Sequence, residues 1–136
     1  MSISSKFSVA VHILLLVGTA TKPLTSAFIA GSVNTNPVVI RRIIGDLKKA
    51  RILDSSQGKV GYDLLIDPSH INLLDIYKAV SGSDVENLFS MHENPNLACP
   101  VGASIQVLLE SILTGAQEAM EKVLSDVTLQ KLIDTM

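Results

Sequence analysis

The sequence predicts a mainly helical fold with one small β-hairpin, and three observations predict it. Apolar residues recur at helical spacing over 3–20, from 36 onward, over 71–81 and over 101–126. Two short apolar runs flank a Gly-containing polar loop between Ile52 and Ile66, which is a hairpin signature. Hydrophobic residues make up 47% of the 136 and aromatics 4%, with no Trp, so the core is aliphatic and suits packed helices.

Residues 3–20 read as the first helix. Phe7, Val11, Leu14 and Leu15 form a stripe that Ile3, Ala10, Leu16 and Val17 widen, so the helix is expected to be buried on several sides. His12 lies inside this run and reads as a core histidine with one hydrogen bond rather than a ligand. Gly18 and the Thr-Ala-Thr-Lys-Pro after it end the helix. Thr25 or Ser26 caps a short second helix through Ala27–Ala30, which Gly31 is expected to help end.

Residues 31–36 then form the turn into a third helix. Asn36 is its cap, and Pro37 sits at the first helical position, where a missing N–H costs nothing. Ile40, Ile43, Ile44 and Leu47 give its apolar face. The hairpin follows: Ile52 and Leu53, a loop over 55–61, then Tyr62, Leu64 and Ile66. Asp67-Pro68 closes it. A fourth helix covers 71–81, with Ile71, Leu74 and Tyr77, or Ile76 and Val80, facing inward.

Residues 84–100 are irregular, with prolines and asparagines, and read as a connector or sensor loop. The longest helix covers 101–126. Val101, Ile105, Leu108, Ile112, Ala119 and Val123 form one stripe, and Leu109, Leu113, Ala116, Met120 and Leu124 an adjacent one. That is more apolar face than one small domain needs, so a second copy of the chain is expected to cover it. Thr128 starts a short last turn with Leu129, Leu132 and Ile133. The expected organisation is a head over 1–83, a connecting loop over 84–100 and a helical dimerisation region over 101–136.

Charge is divided along the chain. Thr35 to Tyr62 holds six basic residues against two acidic ones, whereas Glu86 to Met136 holds two basic against seven acidic; the whole-chain charge of −2 conceals the split. A helix, a short turn and a basic helix followed by a hairpin make a winged helix-turn-helix. Such a helix fits a DNA major groove, and the hairpin would lie along the backbone beside it. Arg41 and Arg42, one turn past the cap, suit guanine or phosphate contacts. Lys48, Lys49 and Arg51, at the helix C-terminus, suit phosphate or solvent and complement the helix dipole. Ser26, Thr35, Ser55 and Ser56 can donate to phosphate, or serve only as caps and turn residues.

One cysteine, Cys99, rules out an internal disulfide. It precedes Pro100 where the long helix should begin, a position that can make a thiol more reactive; the alternative is a small buried hydrophobe. There is no secretory signal and no apolar run of about 18 residues, so a cytoplasmic protein is expected. No Gly-rich phosphate loop, HExxH or supported Ser/His/Asp set occurs, and His12, His70 and His92 lie far apart, so no enzyme is expected.

Three stretches carry a resemblance: RRIIGDLKKARILDSSQGKVGYDLL, INLLDIYKAVSG and Cys99-Pro100-Val101-Gly102. Together they resemble the Rrf-two family of bacterial winged-helix regulators, which includes IscR, NsrR and CymR, and within it the YwnA-like subgroup with a CPVG motif. The resemblance implies a transcriptional regulator, a repressor, that binds near-palindromic operators on double-stranded DNA as a homodimer. It places DNA contacts at Asn36, Val38, Val39 and Arg42, and at a wing tip of Ser56, Gln57 and Gly58 before Val60-Gly61-Tyr62. Gln57 stands where the family often has arginine, and Lys59 lies close enough to supply some of that charge. Cluster-binding members carry three cysteines before the long helix. Here Cys99 is alone, with only His92 and Glu93 nearby, so no iron–sulfur cluster and no other cofactor is expected. A redox response through Cys99, or a small-molecule effector, is the form of sensing left open. The competing reading is a winged-helix adaptor that binds protein instead of DNA.

Overall fold

The computed structural model describes residues 2–82 and 91–136. Helix α1 (Ile3–Thr19) starts where the Ser2 hydroxyl accepts from the Ser5 N–H at 3.2 Å. It buries Ala10, Ile13, Leu14 and Val17, with Phe7, Val11, Leu15 and Leu16 packed at the margin. His12 is half-buried and links two helices: its Nε2 lies 3.1 Å from the Ser32 hydroxyl.

Helix α2 (Ser26–Val33) is capped by Thr25, whose hydroxyl accepts from the Phe28 N–H at 3.1 Å. It runs through Gly31, contrary to expectation. Asn34 ends it instead, in the left-handed conformation at φ 60°. Asn tolerates that conformation better than most residues, so an Asn three positions later stopped what the glycine did not. Helix α3 (Pro37–Lys49) begins as its sequence says: the Asn36 side-chain oxygen accepts from the Val38 N–H at 2.7 Å, and Ile40, Ile43, Ile44 and Leu47 are buried.

The exit from α3 turns sharply. Arg51 takes φ 63°, its N–H donates to the Lys48 carbonyl at 3.0 Å, and the Ile52 N–H donates to the Leu47 carbonyl at 3.1 Å. This Schellman-type ending has an arginine where glycine is usual. It feeds strand β1 (Leu53–Ser55), which pairs antiparallel with β2 (Tyr62–Leu64) in the register Leu53↔Leu64, Asp54↔Asp63, Ser55↔Tyr62.

A third partner, absent from the sequence reading, holds the loop end of this hairpin ladder. Leu24 bridges to Tyr62, and Gly61, at φ 129°, lies so close to the preceding segment that an added Cβ would sit 2.6 Å from the Pro23 Cβ. Gly61 is thus required twice, by conformation and by space.

A 3₁₀ turn (Pro68–His70) leads to α4 (Leu73–Ser81), whose capping box pairs Asn72 with Asp75. Both expected inward sets contribute: Ile71, Ile76, Tyr77 and Val80 are buried, while Leu74 is half-exposed. Residues 84–90 of the expected loop lie outside the described residues. The long helix α5 (Pro100–Ser125) buries none of its residues.

Helix α6 (Leu129–Thr135) returns to the head. The Leu73 N–H donates to the Val127 carbonyl at 2.9 Å, the Leu129 N–H to the Ile71 carbonyl at 2.8 Å, and Leu129 is fully buried in the core that α1 lines, with α6 packed against α1 and the 3₁₀ turn. The result is a mainly helical winged helix-turn-helix with α1 at its centre. Among the described residues, no helix is long and apolar enough to cross a membrane.

Candidate nucleic-acid interface

Burial of four isoleucine and leucine side chains fixes the rotation of α3, and so decides which residues it presents outward. Val38, Arg41, Arg42, Gly45 and Lys49 are exposed; Val39 is half-buried and packs against the core. Of the two valines expected at the contact surface, Val38 is therefore the outward one, at 53% exposure. Asn36 is exposed, but its side-chain oxygen is occupied by the cap, which leaves its amide –NH₂ for any partner. Ser26 and Thr35 are half-buried at the starts of α2 and α3.

The wing is tied to α3. Lys48 Nζ lies 3.3 Å from the Ser55 hydroxyl and 3.8 Å from Asp54 Oδ1. Lys48 thus reaches the hairpin instead of standing free in solvent. At the tip, Gly58 turns the chain at φ 66°, and Gln57, Lys59 and Val60 are exposed. Ser56 departs from the expected surface position. It is buried, its N–H donates to the Gly61 carbonyl at 2.9 Å, and its hydroxyl does not reach the surface. Phe28, 57% exposed on α2, was missed by the sequence reading. The available signal was that Ile29, Ala30 and Val33 take the inward face of α2, which leaves Phe28 outside.

Cys99 is exposed and caps α5 without a side-chain hydrogen bond. The Gly102 N–H first, then the Val101 N–H, lie where they favour a thiolate, and hold the pKa below the ordinary thiol value; desolvation acts weakly the other way. The CPVG stretch has a local reason. The Cys99 N–H donates to the Asn96 carbonyl at 3.1 Å, the Ala103 N–H to the Cys99 carbonyl at 2.9 Å, and a Cβ at Gly102 would collide with the Asn96 carbonyl. Along α5, Val101, Leu108, Ile112 and Val123 are each more than 60% exposed and Ala119 is exposed, while Ile105 is half-buried. Val107, 75% exposed, lies outside the predicted stripe.

Residues 3–135 match the family described as Rrf2, Iron-dependent Transcriptional regulator. The chain belongs to the Rrf2 family. A Bacillus subtilis protein assigned as the HTH-type transcriptional regulator YwnA is 47% identical over 132 residues, which cover 97% of each chain. A crystal structure of a protein assigned as DNA-binding is 42% identical, with a TM-score of 0.76, and the match covers 94% of this chain and 98% of that one. The oxidized form of Staphylococcus aureus CymR shares the fold at 20% identity and a TM-score of 0.72, over 98% and 96% of the two chains. The protein is accordingly a winged-helix transcriptional regulator of this family.

The family description names iron, and the cysteine content of this chain does not fit an iron–sulfur cluster. Cys99 is the sole cysteine of the sequence, and among the described residues no three His, Cys, Asp or Glu side chains converge. An iron–sulfur cluster needs several thiolates.

Proposed function

We propose that this Rrf2-family chain is a homodimeric, sequence-specific DNA-binding repressor whose α3 enters the major groove of each half of a near-palindromic operator. The observation that carries the reading is the outward face of α3. Arg41 and Arg42 stand exposed there, in a helix whose opposite face is locked into the core, beside a wing tipped by Gln57 and Lys59. Guanidinium groups read guanine or hold phosphate, and a lysine at a wing tip holds backbone. Asn36 and Val38 lie at the start of the same helix, Ser55 is bonded to Lys48 at its end, and Ser26 at the start of α2 is assigned to the same contact surface.

The exposed apolar stripe of α5 supports a dimer. A helix with Val101, Leu108, Ile112 and Val123 in water is covered at low cost by its own copy. Two heads joined in this way would meet half-sites about one helical turn, or a multiple of it, apart. Cys99 at the start of α5 offers a route for redox control, because a change there acts on the element that sets the spacing of the heads.

Selection from a random duplex pool, followed by titration in rising salt, tests the function. A DNA-binding repressor enriches a two-fold-related sequence and loses affinity steeply with salt; an adaptor for protein partners does neither. Oxidant added to wild type and Cys99→Ser tests the control: the response is expected in wild type alone.

A further inference from the structure

Two residues on the outward face of α3 are unexplained by the fold. Val38 is an apolar side chain 53% exposed within a cationic surface. Gly45 is an exposed glycine in the middle of a helix, and an added Cβ there would meet nothing within 4 Å. Alanine would suit the free protein better, since glycine is destabilising in a helix interior. Nothing among the described residues requires the missing methyl.

Helical geometry relates the two. Gly45 follows Val38 by seven residues, so it lies within about 20° of Val38 around the axis and about 10 Å along it. Arg41 lies about 60° to one side of Val38 and Arg42 about 40° to the other. The outward crest of α3 is therefore a low apolar line flanked by two guanidinium groups. Its length matches about three base steps at 3.4 Å each.

In the major groove, one base presents an apolar group: thymine, through its C5-methyl. We propose that Val38 reads a thymine C5-methyl in each half-site, and that Gly45 supplies the clearance that lets the duplex approach the helix so closely. The arginines on either side hold phosphate or an adjacent guanine, and keep the low line centred in the groove. This inference rests on the DNA-binding reading and adds to it a base identity and the residue that recognises it.

The test uses the full-length protein and the duplex it selects. Each thymine of the half-site is replaced in turn by deoxyuridine, which lacks only the methyl group. One position is expected to lose about four-fold in affinity per half-site, the value of one buried methyl. Val38→Ala is expected to lose a similar factor and to become insensitive to deoxyuridine at that position alone. Gly45→Ala is expected to raise the melting temperature by a few degrees while weakening operator binding several-fold, an opposition that a purely structural glycine would not give. A selected half-site without a fixed thymine, full affinity for every deoxyuridine duplex, unchanged deoxyuridine sensitivity in Val38→Ala, or undiminished binding by Gly45→Ala overturns the inference while DNA binding stands. Failure to select any duplex overturns both.

Discussion

Lys48 Nζ, at the end of α3, lies 3.3 Å from the hydroxyl of Ser55 in β1. The same ammonium is 3.8 Å from Asp54 Oδ1, and Asp54 faces Asp63 directly across the hairpin. Like charges at paired positions repel, so Lys48 both offsets that repulsion and fixes the wing against α3. Two variants with the same charge change should then act in opposite directions. Asp63→Asn is expected to tighten DNA binding, by removing an exposed anion from the wing. Asp54→Asn is expected to weaken it by about two- to five-fold, the range of an exposed ion pair. Binding isotherms on one duplex decide; equal tightening in both would mean that Lys48 does not orient the wing.

Gly61 should be the least replaceable wing residue. Gly61→Ala places a Cβ 2.6 Å from the Pro23 Cβ at a backbone φ of 129°. It should cost about 2–4 kcal/mol, combining strain with overpacking. Gly58→Ala, at φ 66° with open space around it, should cost about 1–2 kcal/mol. Urea denaturation of both variants gives the comparison.

Leu129 belongs to the same core as α1. Leu129→Ala is expected to destabilise the head by about 2–5 kcal/mol, the span for a fully buried leucine. A change below 0.5 kcal/mol in chemical denaturation, within the usual range for surface substitutions, would contradict the docking of α6.

Cys99 should ionise more readily folded than unfolded, because the Gly102 and Val101 amides favour its thiolate. A depressed folded pKa means that this contribution is present above the unfolded thiol pKa and is lost as pH falls through the folded one. Alkylation rates measured across pH should show a lower midpoint in native protein than in urea. Coincident midpoints would remove the reactive-thiol account.

Much of this molecule was legible from local signals. Asn36-Pro37 marked the start of α3 because a cap and a proline at N1 act within one turn. The four-residue apolar set of α3 gave its rotation, and with it the exposure of Arg41 and Arg42. What stayed hidden depends on partners distant in sequence. Leu24 pairs with Tyr62 over too few residues to leave an alternating pattern. Leu129 is apolar whether it lies on an arm or returns to Ile71, and only the tertiary hydrogen bonds separate the two. Ser56 looked like a surface donor because serine is common in turns, yet its hydroxyl is buried and its backbone N–H is taken by the Gly61 carbonyl. Gly31 looked like the end of α2, yet the helix runs on to Val33 and Asn34 ends it, because a glycine permits a stop without imposing one.

The most direct test of DNA recognition by α3 is the salt dependence of binding to the selected duplex, measured for wild type and for the Arg41→Ala/Arg42→Ala double variant. If the guanidinium groups contact phosphate, the logarithmic slope should fall by about two for each protomer; if they read bases, affinity should drop by about 1–3 kcal/mol for each residue and discrimination should relax. An unchanged slope together with unchanged affinity and sequence preference would contradict the placement of α3 in the groove.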